Sequence, residues 1–195
     1  TYTLPLQDAL PICGEDLEYD ADFLRLGRDA QGRPERVMGD AVQAAEPPQW
    51  RASEQSCERL LERSKDLRIT HFLVQSNLAL NGFVGLAASL ELIRDLLGEY
   101  WLHLHPQLGA ADDNDPSVRI NALAGLTCEP NIALLREAVL ARSRAFGPVT
   151  LRAALHAAGL QHFASEDLSV EALAAALRDA DPDETEQEKA GGGRW

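Results

Sequence analysis

A chain of 195 residues, 45% hydrophobic and 25% charged, can bury a core without metal or disulfide support. Its formal net charge of -13 argues against nucleic-acid partners, because phosphate backbones are held by clustered Lys and Arg. Leu and Ala are abundant and strand-favouring residues sparse, so the expected class is all-α. The expected architecture is a multi-helix bundle built on antiparallel helical hairpins, with an irregular N-terminal lead-in.

The three cysteines, Cys13, Cys57 and Cys128, form no C-x-x-C pair, which argues against a disulfide framework or a zinc knuckle. No cofactor or metal is expected. No run of residues looks apolar over the ~20 positions of a membrane span. Residues 1–10 lack the charged start and apolar middle of a signal peptide, so direct membrane insertion is not expected.

Residues 1–19 read as an extended lead-in, because Pro5, Pro11 and Gly14 oppose regular helix. Asp20 is placed to cap a short helix carrying Phe23, Leu24 and Leu26, which Gly32 and Pro34 end. Residues 33–49 read as irregular or briefly extended. A helix follows over residues 50–64, with Trp50, Cys57, Leu60 and Leu61 on one side. Asp66 is placed to cap a mostly buried helix to residue 81, and Gly82 to end it in a left-handed conformation. The steps from Leu86 through Leu90, Ile93, Leu97, Tyr100 and Trp101 to Leu104 predict a long helix over residues 84–104, antiparallel to the preceding one. Asp115-Pro116 reads as a cap followed by proline in the first turn. Helices are predicted over 116–126, 131–144, 150–158 and 170–180. The domain is therefore expected over residues 20–180. Residues 181–195 read as an acidic, Gly-rich linker or tail.

Four motifs invite chemistry. His103 and His105 lie two apart, roughly 200° around a helix, and cannot share a metal there; capping of helix carbonyls is expected instead. The run Asp112-Asp113-Asn114-Asp115 lacks the central Gly and terminal Glu of a calcium loop. It reads as a solvated turn, with Asp112, Asp113 and Asn114 as a candidate partner surface; the 33–49 segment is a second candidate. Gly82-Phe83-Val84-Gly85 has the G-x-x-G form of a nucleic-acid clamp without basic neighbours, so Gly85 is expected to permit close packing. Glu15, Asp16 and Asp20 could do acid–base work only if held in a cleft; acids flanking a loop and a helix start, where the helix dipole favours them, are the simpler expectation. Arg68 is expected to pair with an acid inside the fold, and Tyr100 and Trp101 to be core.

Several blocks recur in a familiar order. They are Gly14, Asp16, Leu17, Tyr19, Asp20 and Phe23; Trp50; Lys65, Asp66, Leu67 and Arg68; Gly82 and Gly85; Tyr100, Trp101, His105 and Pro106; and Asp115, Pro116, Arg119, Asn121 and Leu123. In this order the chain resembles the amino-terminal domain of the TssA/ImpA family of type VI secretion. The resemblance implies an all-helical domain with no catalytic residues. Its role would be to bind other secretion subunits of the baseplate, sheath, tube or membrane complex. It also implies ring oligomerisation through a separate carboxy-terminal domain, and a bacterial cytoplasmic location with association to the inner-membrane-anchored apparatus. The competing readings are a helical enzyme using carboxylates near Asp16 and Asp112, and a regulatory binding protein outside secretion.

Overall fold

The computed structural model describes residues 13–33, 35–38, 41–109 and 113–180. In chain order its elements are α1 (Ala21–Gln31), β1 (Arg36–Met38), β2 (Ala41–Gln43), α2 (Trp50–Arg63), α3 (Leu67–Tyr100), α4 (Ser117–Ala124), a 3-10 turn (Gly125–Thr127), α5 (Glu129–Glu137), β3 (Val139–Ser143), β4 (Gly147–Thr150), α6 (Leu151–Ala157) and α7 (Val170–Arg178). Two compact units divide them. Residues 1–76 and 89–126 form the first, and residues 77–88 and 127–195 the second.

In the first unit, Asp20 caps α1 by accepting from the amides of Asp22 (2.9 Å) and Phe23 (3.2 Å), as its position before the helix predicts. α1 and α2 pack together, and their inward faces meet the start of α3. Leu17, Leu26, Cys57, Leu60, Leu61, Ile69 and Leu73 form one buried cluster, with Phe23, Phe72 and Leu92 against it. The edge of Phe23 meets Phe72 at 6.2 Å between ring centres, a favoured aromatic geometry.

α3 is 34 residues long, but Gly82 (φ 57°, ψ -138°) breaks it. The φ is positive as predicted, while ψ lies outside the left-handed helical well. A Cβ on Gly85 would lie 2.3 Å from the Asn77 carbonyl oxygen. In an unbroken helix these residues would be ~12 Å apart along the axis. The chain therefore doubles back, giving the predicted antiparallel hairpin, and only glycine fits at residue 85. By length and hydropathy α3 does qualify as a membrane span, contrary to the reading of the sequence, but the reversal at Gly82 divides it into two shorter arms.

The all-α expectation needs correction, because the described residues are mostly helical with two small antiparallel hairpins. β1 pairs with β2 in the register Arg36↔Gln43, Val37↔Val42, Met38↔Ala41. The isolated bridge Arg33↔Glu46 continues that register at the base of the ribbon. In the second unit, the helix predicted over 131–144 stops at Glu137. Residues 139–143 pair instead with Gly147–Thr150, with Ala141 and Ser143 buried and Leu140 and Arg142 exposed, the period-two pattern of a strand. Asp179 fixes the turn of this hairpin by accepting from Ser143 Oγ (2.9 Å) and the Arg144 amide (3.0 Å). Thr150 and Ser169 cap α6 and α7.

Candidate functional site

Most motif residues of the first unit converge where three stretches of chain meet: residues 13–20, 63–68 and 101–106. Their backbones form a short ladder. The Lys65 amide donates to the Cys13 carbonyl (2.8 Å), the His105 amide to the Lys65 carbonyl (2.9 Å) and the Leu67 amide to the His105 carbonyl (2.9 Å). Gly14 makes the approach possible: at φ +78°, a Cβ there would lie 1.9 Å from the Arg63 carbonyl oxygen, which no side chain tolerates.

Arginines tie the side chains of this clasp. Arg68 contacts Asp66 (2.6 Å), Asp16 (2.5 Å) and Glu18 (3.5 Å), and its guanidinium lies 5.8 Å from the Phe23 ring centre. Asp66 is fully buried and also caps α3 by accepting from the Arg68 amide at 2.8 Å. Arg63 reaches Asp20 (2.7 Å), Glu15 (3.0 Å) and Asp22 (3.8 Å). Lys65 Nζ donates to the Leu61 carbonyl at the end of α2 (2.7 Å). Burial pushes the Asp16 carboxyl up, but the hydrogen bonds from Arg68 and the Glu18 amide and the nearby charges of Arg68 and His105 hold it below the usual range. The Arg63 hydrogen bond chiefly does the same for Asp20. Carboxyls in these environments are poor general acids at neutral pH, a role that needs a raised pKa.

His105 is 3% exposed. Its Nε2 lies 3.2 Å from the Gly14 carbonyl oxygen and its Nδ1 3.9 Å from Asp16. It therefore links the stretches and does not cap helix carbonyls as expected. That task falls to Arg119, which is 0% exposed. Arg119 Nε donates to the Pro106 carbonyl (2.8 Å), and its other nitrogens donate to the carbonyls of Trp101 and Leu104. A guanidinium fork suits such convergent acceptors, and positive charge is favoured where helix carbonyls point outward. Capture of these carbonyls accompanies the end of α3 at Tyr100, four residues before the predicted end. Trp101 is accordingly not core: it is 39% exposed, with its ring centre 4.7 Å from the Arg119 guanidinium.

The remaining motif residues lie elsewhere. Leu17 and Leu67 are core. Trp50 begins α2 and Tyr100 ends α3, both half-buried. Gly82 and Gly85 make the hairpin turn. Tyr19 is 86% exposed. Asp115 accepts from the Ser117 amide (3.0 Å), but the N-cap position of α4 is Pro116, one residue later than expected; Pro116 and Asn121 are exposed while Leu123 is half-buried. Asp113 and Asn114 are exposed in a turn with positive φ, and Asp112 lies outside the described residues. Among the described residues no three His, Cys, Asp or Glu side chains are grouped to hold a metal. Sequence reasoning missed the roles of Arg63 and Arg119, since an arginine's spacing does not reveal which carbonyls or carboxylates it will meet.

The family model for the ImpA amino-terminal region of type VI secretion systems matches residues 4–127. The chain is 60% identical over 171 residues to the type VI secretion system component TssA1 of Pseudomonas aeruginosa, covering 88% of this chain and 50% of that protein. This chain belongs to the TssA/ImpA amino-terminal family of type VI secretion. It spans about half the length of that relative. Its fold resembles the solved amino-terminal domain of the TssA component from Burkholderia cenocepacia, with a TM-score of 0.61 at 24% identity, covering 91% of this chain and 69% of that one. The matched region contains the whole clasp, from Cys13 to Arg119.

Proposed function

We propose that this chain is a non-catalytic protein-interaction domain of a type VI secretion assembly protein. In this reading it contacts baseplate, sheath, tube or membrane-complex subunits from the bacterial cytoplasm. In the same reading residues 20–180 are the interacting body, residues 1–19 its lead-in and residues 181–195 a linker or tail. Ring assembly is not asked of these residues.

One observation carries the proposal: the arginines of the clasp are engaged within the fold. Arg63, Arg68 and Arg119 each end on carboxylates or carbonyls of the fold. Next to Arg119 in the chain and just past the end of α3, apolar side chains face solvent, namely Val118, Ile120, Trp101 and Leu102 (79% exposed). Exposed apolar side chains close to a rigid anchor suit docking of a protein partner.

Crosslinking and capture of the native full-length protein from a secreting bacterium tests the proposal. Recovery of sheath, tube, baseplate or membrane-complex subunits is expected. Leu102→Asp with Ile120→Asp should weaken that recovery without lowering the melting midpoint. Reproducible absence of every such subunit would overturn the proposal.

A further inference from the structure

The base of the β1–β2 ribbon carries a second, differently charged feature. Between the last turn of α1 and the ribbon lies an open pocket of about 400 Å³, lined by Arg28, Asp29, Gln31, Arg33, Arg36 and Gln43 with the backbone of Gly32. Gly32 sets its shape. At φ +63°, with a Cβ position 2.5 Å from the Glu46 carbonyl oxygen, it lets the chain leave the helix and turn directly into the ribbon. Arg33 and Glu46 pair backbone to backbone there (2.8 Å in each direction), and their side chains meet at 3.5 Å, both largely exposed.

Three guanidiniums thus share one cleft in a chain of net charge -13. Arg28 sits in the last turn of α1, where it also answers the helix dipole. Among the described residues, neither Arg28 nor Arg36 has a carboxylate partner. Asp29 is the single acid on the lining, so the cleft keeps an excess of positive charge. The guanidiniums come from two separate elements, which suits several spaced carboxylates better than one compact anion. Gln31 and Gln43 add amides that both donate and accept, as a peptide backbone requires. A two-stranded ribbon also leaves one edge of each strand without a strand neighbour.

We infer that this cleft binds an extended acidic peptide segment of a partner protein, with carboxylates on alternate residues. Residues two apart on an extended chain point to the same side, so alternate carboxylates reach the three guanidiniums together. This inference does not depend on which machine the domain serves, so its failure leaves the secretion proposal standing.

Fluorescence anisotropy with the full 195-residue chain and a labelled peptide of alternating Glu and Thr tests it. Saturable binding is expected, weakening as salt rises. Arg28→Glu with Arg36→Glu should weaken it about ten-fold or more, while Arg178→Glu, on α7, should leave it unchanged. If charge reversal lowers the melting midpoint, Arg28→Gln with Arg36→Gln carries the test, with a smaller loss in the same direction. Inorganic phosphate at equal concentration should not displace the peptide. Absence of saturable binding, equal binding by the wild-type and substituted chains, or displacement by phosphate as effective as by peptide would each overturn the assignment.

Discussion

In the clasp, Arg63, Arg68 and Arg119 end on oxygen atoms that the fold holds in place: three carboxylates, three more carboxylates, and three carbonyls at the end of α3. At the base of the ribbon, Arg28 and Arg36 face a cleft and end on no carboxylate among the described residues. Both regions belong to the same compact unit. The difference teaches that arginine in this chain has two uses. Where the fold holds its acceptors it ties chain segments together, most firmly at buried Arg119, and its loss should appear as lost stability. Where it is exposed without them, its loss should leave the fold intact and alter only what the surface attracts.

The largest expected effect is at Arg119. Arg119→Ala leaves the carbonyls of Trp101, Leu104 and Pro106 without their donor in a buried site. Urea unfolding should show a loss of about 3–5 kcal/mol. Trp101→Ala removes a half-exposed ring and its contact with the guanidinium, so the expected loss is smaller, about 2 kcal/mol. A loss as large as that for Arg119 would place the ring in the core after all.

The acid response follows from Asp16 and Asp20. Both carboxyls titrate lower folded than unfolded. Their contribution is therefore fully present above the unfolded value of about 3.9 and is lost as pH falls through the folded values. Melting midpoints measured from pH 6 downward should fall below about pH 4, and less steeply in Asp20→Asn. At the small end, Arg28→Glu with Arg36→Glu should change unfolding free energy by no more than about 0.5 kcal/mol. A larger loss would erase the contrast between the two regions.

The helices were legible because their signals are local. Asp20 and Asp66 cap where their positions before apolar runs place them. Gly82 marks the reversal and Gly85 the close approach that it creates. The strands were less legible for two different reasons. Around residues 36–43 the signal was present: Val37 and Val42 flank Gly39-Asp40, a hairpin-like pattern that is short enough to read as irregular. At residues 139–143 the composition suits a helix, and pairing with Gly147–Thr150 decides otherwise. The clasp was legible as a set of motif residues but not as a geometry. Nothing local in the sequence tells that Arg119 reaches back to Trp101, or that Trp101 thereby stays half-exposed. The arginine cleft was not legible at all, because Arg28 and Arg36 become neighbours only through the turn at Gly32.

The charges of the clasp hold this part of the fold together. A double-mutant cycle in urea unfolding, with Asp66→Asn, Arg68→Gln and the pair, measures it most directly. A coupling energy of about 1–3 kcal/mol between the two side chains is expected. Additive effects, with coupling below about 0.5 kcal/mol, would contradict it.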